Sequence, residues 1–262
     1  MPTTPAPKVI PVPQLSDNYA YLVVNEATGD AIAIDPAEAG PLLEAAEQAG
    51  ASINTIFNTH HHFDHCGANE ELGNATGAPV QASAIEGDKI PGLAVALEPG
   101  QMVDVNGFTA KVLRLPGHTD GHVGYLFGKD LFSGDVLFVA GCGRIFEGTP
   151  AEMYESLNAT IGALSDDTRV WCGHEYTVKN LEFAATLEPA NAAIAARLAR
   201  AREQRAAGQP TIPSTIGEEK AFNPFLRVTS PELIATLVAK DPAQKTDPVS
   251  VFATVRKLKD DF

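Results

Sequence analysis

Thr59-His60-His61-His62-Phe63-Asp64-His65 gathers four histidines into seven residues of a 262-residue chain that has only seven in all. Polar rings crowded on a buried loop must find partners. Metal ions supply them, because neutral imidazole is the commonest metal ligand and carboxylate suits the same ions. Immediately upstream, Ser52-Ile53-Asn54-Thr55-Ile56-Phe57 reads as a short buried strand, and a helical run from Cys66 to about Thr76 follows. The cluster thus stands where a strand ends, the place where sites gather in mixed sheets. A solvated loop or a purification-tag remnant is the plain alternative. A tag would be terminal and monotonous, whereas this run is internal and broken by Asp64.

Outward from that loop the chain alternates strands and helices. Residues 8–13, 19–24 and 30–35 read as strands, the last reached across a Thr28-Gly29 turn. Pro41 opens a helix over residues 42–49, closed by Gly50. A strand at residues 79–82 follows, then strands 102–105 and 108–115 around Asn106-Gly107, a strong hairpin signal. Strands at 123–127, 131–132 and 136–138, a helix from about 151 to 163 and a strand at 169–172 complete this portion. Two groups of strands with interspersed helices predict two sheets faced by helices, a four-layered α/β sandwich. After Thr177 the pattern is helical. Residues 191–207 are rich in Ala, Arg and Leu, and Thr215-Ile216-Gly217-Glu218 reads as a capping box. Ser230-Pro231 and Asp247-Pro248 each pair an N-cap with Pro at the first helical position. These signals divide the chain into domains 1–177 and 178–262.

Three further loops carry metal-type donors. Leu115-Pro116-Gly117-His118-Thr119-Asp120-Gly121-His122 places histidine just past a strand, with Gly117 allowing a close backbone approach. His122 reads equally as a ligand, a hydrogen-bond partner of one, or core. Phe132-Ser133-Gly134-Asp135 ends a strand with a carboxylate able to bridge two cations, and Trp171-Cys172-Gly173-His174-Glu175-Tyr176 repeats the strand, Gly, His order. A single strand-end Asp is usually a turn former, and a single His is usually satisfied core. Four such loops point to a shared site.

Composition narrows the function classes. The chain is 44% apolar and 20% charged, with mean hydropathy near zero. It has no run of the roughly 18 to 20 apolar residues that a membrane span needs. Residues 1–7 read as a frayed Pro-rich tail without signal architecture, so a cytoplasmic protein is expected. An odd count of three cysteines, Cys66, Cys142 and Cys172, predicts free thiols packed beside the site in a reducing compartment. A net charge of −14 argues against nucleic acid.

Taken together, these loops resemble the metallo-β-lactamase superfamily. Residues 59–65 fit its T-H-x-H-x-D-H pattern, and His118, Asp135 and His174 fit its later ligand loops. Asp17-Asn18-Tyr19, Gly141-Cys142-Gly143-Arg144, Cys172-Gly173-His174-Glu175-Tyr176 and Asn223-Pro224-Phe225 look like the glyoxalase II, or hydroxyacylglutathione hydrolase, family over nearly the whole chain. The resemblance implies a four-layered αββα sandwich followed by a helical domain that holds a glutathione site. It implies two divalent ions, zinc first, with iron or manganese also suited. His60, His62 and His118 would bind one ion, Asp64, His65 and His174 the other, and Asp135 both. His61 is then a non-ligand, and His122 a partner of a ligand or packing. Asp64 and Asp135 are the implied catalytic carboxylates. The implied reaction is hydrolysis of S-(2-hydroxyacyl)glutathione, chiefly S-D-lactoylglutathione, to glutathione and D-lactate by a hydroxide bridging the two ions. This is the second step of glyoxalase detoxification of methylglyoxal. No G-x-S-x-G nucleophile elbow competes with it.

Glutathione brings two carboxylates and needs cations. On the last helix, Arg256 and Lys259 share a face with Phe252, beside an apolar stripe of Val251, Val255 and Leu258, while Lys257 points nearly opposite. Alone, this is a basic helix end that complements the macrodipole. The resemblance makes Arg256, Lys259, Arg144 and Tyr176 glutathione contacts. Two departures stand out: Arg144 where the family often has Lys, and Phe146 where it often has Tyr. A lost hydroxyl contact weakens binding by about 1 kcal/mol. A small-molecule substrate, no nucleic acid, no membrane and a monomer are expected. Rival readings remain. A persulfide dioxygenase keeps fewer ligands, a lactonase or β-lactamase has no need of the basic helix, and a non-catalytic scaffold would have lost ligands.

Overall fold

Two short runs of apolar residues, 19–24 and 31–34, with a Thr28-Gly29 turn between them, start the first sheet. In a computed structural model describing residues 7–262, β1 (Lys8–Gln14), β2 (Asn18–Val24) and β3 (Asp30–Ile34) pair antiparallel. The Pro-rich tail expected over residues 1–7 lies outside the described residues except for Pro7. Two compact units are present, one running to Arg114 and including Thr119–Gly134, the other comprising Leu115–His118 and Asp135–Phe262.

In the first unit, α1 (Ala39–Ala49) follows β3 and ends at Gly50, whose left-handed φ of 63° lets its N–H reach the Ala46 and Glu47 carbonyls. The helix begins two residues before Pro41, whose missing N–H falls among the donors a first turn leaves unused. β4 (Ser52–Asn58) then runs parallel to β3. The expected helix over residues 66–76 is two pieces, α2 (Phe63–Cys66) and α3 (Asn69–Thr76). The break has a cause: Ala68 N–H bonds the Pro36 carbonyl at 3.0 Å instead of continuing the helix. β5 (Val80–Ser83) and β6 (Leu93–Leu97) extend the parallel part. β6 is not among the strands predicted from the sequence; its run Leu93-Ala94-Val95-Ala96-Leu97 is wholly apolar and shows no period-two pattern. β7 (Met102–Val105), β8 (Phe108–Arg114), β9 (Val123–Phe127) and β10 (Asp130–Gly134) form an antiparallel meander.

Alternation gives the mixed sheet two buried faces. Ala20, Leu22 and Val24 of β2 share one core cluster with Leu42 and Ala46 of α1 and Leu72 of α3. Tyr21 on the opposite face meets Phe132 of β10, with ring centroids 5.2 Å apart, and Phe57 stacks on Tyr125 of β9 at 4.6 Å. Helices, mixed sheet and meander are therefore three successive layers, bound by aromatic pairs worth about 0.5–1.5 kcal/mol each beyond their burial.

In the second unit, β11 (Leu137–Phe138) and β12 (Gly141–Cys142) form a small hairpin. The helix α4 (Pro150–Tyr154) starts from a Thr149/Glu152 capping box and widens into a π turn over Glu155–Ile161. β13 (Arg169–Cys172) pairs with β14 (Ser214–Thr215), and between them lie α5 (Thr177–Leu187) and α6 (Ala192–Ala206). α7 (Ile216–Phe222), α8 (Pro231–Lys240) and α9 (Pro248–Asp260) start at the expected caps, with Thr215, Ser230 and Asp247 accepting from backbone N–H groups. Among the described residues no helix is long and apolar enough to cross a membrane.

Candidate metal centre

β4 delivers the His-rich loop, and a buried carboxylate from the end of β3 organises it. Asp35 stands at a φ of 54°, a left-handed conformation that Asp tolerates better than most residues. Its Oδ1 accepts Thr59 N–H at 2.7 Å. Its Oδ2 accepts the Thr59 hydroxyl at 2.7 Å and His65 Nδ1–H at 3.0 Å. Since the Thr59 hydroxyl proton is given to Asp35, its oxygen must accept from His60 Nδ1–H, 3.0 Å away. One carboxylate thereby sets two tautomers. His60 and His65 both turn an Nε2 lone pair outward, the form in which imidazole binds a cation.

Those lone pairs face other donors. His60 Nε2 lies 3.0 Å from His62 Nδ1, and His65 Nε2 lies 3.6 Å from Asp64 Oδ2. Asn18 Nδ2–H fixes the Asp64 carboxylate at 2.9 Å, and Asn58 holds the loop by donating to the His65 carbonyl at 2.7 Å. His61 turns away to the buried Glu86 carboxylate, which also accepts the Thr119 hydroxyl at 2.5 Å. His122 is fully buried, its ring stacked 4.8 Å from that of His60. A Cβ on Gly134 (φ 49°) would come within 2.7 Å of His122 Nε2.

The second unit builds its own donor set. Gly117, at φ 141°, brings the His118 turn against α4, where a Cβ would strike the Met153 side chain. His118 Nδ1–H donates to the Arg144 carbonyl at 2.8 Å, leaving Nε2 as the lone pair, 3.5 Å from Asp135 Oδ2. His174 Nε2 lies 3.2 Å from the same oxygen. A carboxylate oxygen between two imidazoles, one of fixed tautomer, is a donor set suited to divalent cations. The first unit thus presents His60, His62, Asp64 and His65, and the second His118, Asp135 and His174, all side chains of the kind that divalent cations take. The three cysteines are buried and form no disulfide, and burial pushes their thiols up to about 12, 11 and 12 for Cys66, Cys142 and Cys172.

A cleft of about 560 Å³ in the second unit holds most of the expected substrate contacts. Arg144, Phe146 and Arg256 line it, together with Lys257 and Asp260. Phe146 is 60% exposed, and its ring meets His118 at 5.2 Å. The Tyr176 ring lies parallel to His174 at 4.8 Å. Arg256 is only 6% exposed, donating to the Cys142 carbonyl at 2.7 Å and lying 5.2 Å above the Phe225 ring. Lys259 is not among the lining residues. Its Nζ sits 5.2 Å and 5.0 Å from the Phe183 and Phe262 ring centroids, and burial lowers its pKa to about 8. The helical expectation for Lys257 thus fails. At about 100° per residue, Ala253, Asp260 and Lys257 all fall on one side of Arg256 and Lys259 on the other. Arg256 is the edge of the cleft face, not its centre.

Comparison with known proteins gives matches over almost the full length. Residues 15–174 match the family model for the metallo-beta-lactamase superfamily, and residues 175–262 match that for the hydroxyacylglutathione hydrolase C-terminus. A hydroxyacylglutathione hydrolase from Synechococcus sp. (strain JA-2-3B'a(2-13)) is 47% identical over 97% of this chain and 100% of its own length. A relative from Arabidopsis thaliana named as the cytoplasmic hydroxyacylglutathione hydrolase is 43% identical, covering 97% and 99%. Among solved structures, ETHE1 from Myxococcus xanthus superimposes with a TM-score of 0.66 at 28% identity, over 97% of each chain.

Proposed function

The chain belongs to the hydroxyacylglutathione hydrolase family, with the metallo-β-lactamase fold of mixed sheets followed by C-terminal helices, and from that membership we propose its reaction and site. The enzyme hydrolyses S-(2-hydroxyacyl)glutathione, chiefly S-D-lactoylglutathione, to glutathione and D-lactate. One observation carries this reading. A single stretch begins with the donor Asp135 and ends with the cleft residues Arg144 and Phe146, and the Arg144 carbonyl orients His118 while Arg256 clamps Cys142. Metal donors and substrate cations therefore share one rigid piece of chain. A ligand with a hydrolysable acyl group at one end and carboxylates at the other matches that layout.

His60, His62 and His118 would hold one divalent ion and Asp64, His65 and His174 a second, with Asp135 available to both. Zinc is the first choice, because borderline ions favour imidazole with carboxylate, and iron or manganese suit the same donors. Such a pair would lower the pKa of a bound water and polarise a thioester carbonyl. The protein's part is orientation. Asp35 keeps His60 and His65 as lone-pair donors, Asn18 holds Asp64, and the Arg144 carbonyl holds His118. Arg144 and Arg256, with Lys259 flanking, attract the glutathione carboxylates, while Phe146 meets His118 edge-on and the Tyr176 ring stacks on His174. Residues 1–177 act as the catalytic domain and 178–262 as the substrate-binding domain. The enzyme works as a cytoplasmic monomer on a small molecule, as its acidic charge and the name of the plant relative favour.

Purified protein with its metals quantified should release thiol from S-D-lactoylglutathione and leave a lactone and a β-lactam largely untouched. Absence of thiol release from a metal-loaded sample would refute the reading. Oxygen uptake with glutathione persulfide would replace it with the dioxygenase.

A further inference from the structure

The cleft already contains a carboxylate. Asp260 Oδ1 lies 3.0 Å from Arg256 Nη2 and 3.7 Å from Arg144 Nε. We propose that Asp260 is a resident competitor, occupying the two guanidinium groups in the resting enzyme and giving way when a substrate carboxylate arrives. This rests on the glutathione-thioester reading above.

A structural role for Asp260 is the obvious rival, and the packing of Arg256 argues against it. The guanidinium is already placed from its other side. Nη1 donates to the Cys142 carbonyl at 2.7 Å and approaches the Gly143 carbonyl at 3.4 Å, and the plane lies over Phe225. Asp260 is not needed to aim it. What Asp260 adds is charge at the open side, on a side chain 45% exposed that can swing into water. Arg144 is more exposed still, its side chain 65% open to water. Arg256 is the buried, fixed partner, and the half-exposed Asp260 carboxylate is the one that can leave it for water when a ligand arrives. Lys257, on the same wall, has no ion pair with Asp260 and remains available to a second carboxylate. The arrangement sets affinity without touching the reacting thioester, so it acts on KM and not on kcat.

The test is a KM-against-kcat split with S-D-lactoylglutathione. Asp260→Asn should lower KM about three- to fivefold, the range expected for removing one exposed competing charge. The kcat should stay at the wild-type value, and the inhibition constant of product glutathione should fall in proportion. Asp260→Glu, which restores the charge, should return KM toward the wild-type value. The dimethyl ester of the substrate, with both carboxylates blocked, should show the same KM with wild type and Asp260→Asn. An unchanged or raised KM for Asp260→Asn, or an equal drop for the ester, would overturn the proposal while wild-type turnover left the functional reading standing. A wild-type enzyme that released no thiol would remove both.

Discussion

Asp35→Asn is the sharpest perturbation the site offers, because it changes protons and almost nothing else. Asn is nearly the size of Asp and, like it, tolerates the positive φ of 54°, so the backbone keeps its conformation. The Thr59 N–H at 2.7 Å holds the amide oxygen in the place of Oδ1. The amide nitrogen then replaces Oδ2, facing the Thr59 hydroxyl and His65 Nδ1 with donors where an acceptor stood. His65 must accept at Nδ1 and carry its proton on Nε2. The Thr59 hydroxyl, now accepting from Asn, donates to His60 Nδ1 and moves that ring's proton to Nε2 as well. Two metal-facing lone pairs become N–H groups. Losing such an orienting partner weakens metal affinity about 10- to 100-fold, or about 1.4–2.7 kcal/mol, at each ligand affected. The three hydrogen bonds to the Asp35 carboxylate also lose their charge assistance, lowering apo stability by about 1–3 kcal/mol. Competition with a chromophoric chelator should show weakened binding, and thiol release should recover only with added metal. The tautomer argument is refuted if Asp35→Asn keeps metal affinity within about twofold of wild type at full turnover.

Other outcomes follow from the same geometry. Phe146→Tyr should lower KM for S-D-lactoylglutathione by about two- to tenfold with kcat unchanged, one net hydrogen bond being worth about 0.5–1.5 kcal/mol. A paired Arg256→Ala/Lys259→Ala variant should raise KM far more than it lowers kcat in steady-state assays. It should also lower Tm, because the Cys142 and Gly143 carbonyls lose their donor. Glu219 is fully buried, accepting from Ala140 N–H and the Asn223 side chain, and burial raises its carboxyl to about 7. The folded state then holds that proton more tightly than the unfolded chain, so stability from this group is full below about pH 4.5 and lost as pH rises through about 7. Glu219→Gln should therefore raise Tm at pH 8, by up to about 3 kcal/mol of stability, with little change at pH 5. Stripping both metals should lower Tm and abolish thiol release, and stability should return with metal concentration as linkage requires.

Much of this molecule is written in short-range chemistry. Four histidines and an aspartate after a strand announce metal, because few other arrangements use so many imidazoles. The strand and helix limits were legible for similar reasons: Asn106-Gly107 turns a hairpin, Thr215 and Glu218 cap each other, and Ser230-Pro231 and Asp247-Pro248 start helices, all within a few residues of chain. His61 was separable from its neighbours only through the family pattern, and its Glu86 partner was invisible, being 25 residues away.

What tertiary structure alone decided is the proton and charge arrangement. Asp35 lies 24 residues from Thr59 and 30 from His65, and an aspartate after a strand has no local mark of a tautomer-setting role. Arg256 reaches carbonyls more than 110 residues away, and that clamp, not the helical wheel, turns Lys257 into the cleft and Lys259 out of it. The helix pattern names which residues share a face, but only docking fixes how far that face is rotated. The sequence by itself therefore determined the family and the reaction and named the candidate donors, since motif spacing and residue chemistry carry these. The fold decided which imidazole lone pairs are left by the hydrogen bonds around them and which cations meet a carboxylate, because burial and distance exist only once the chain is packed.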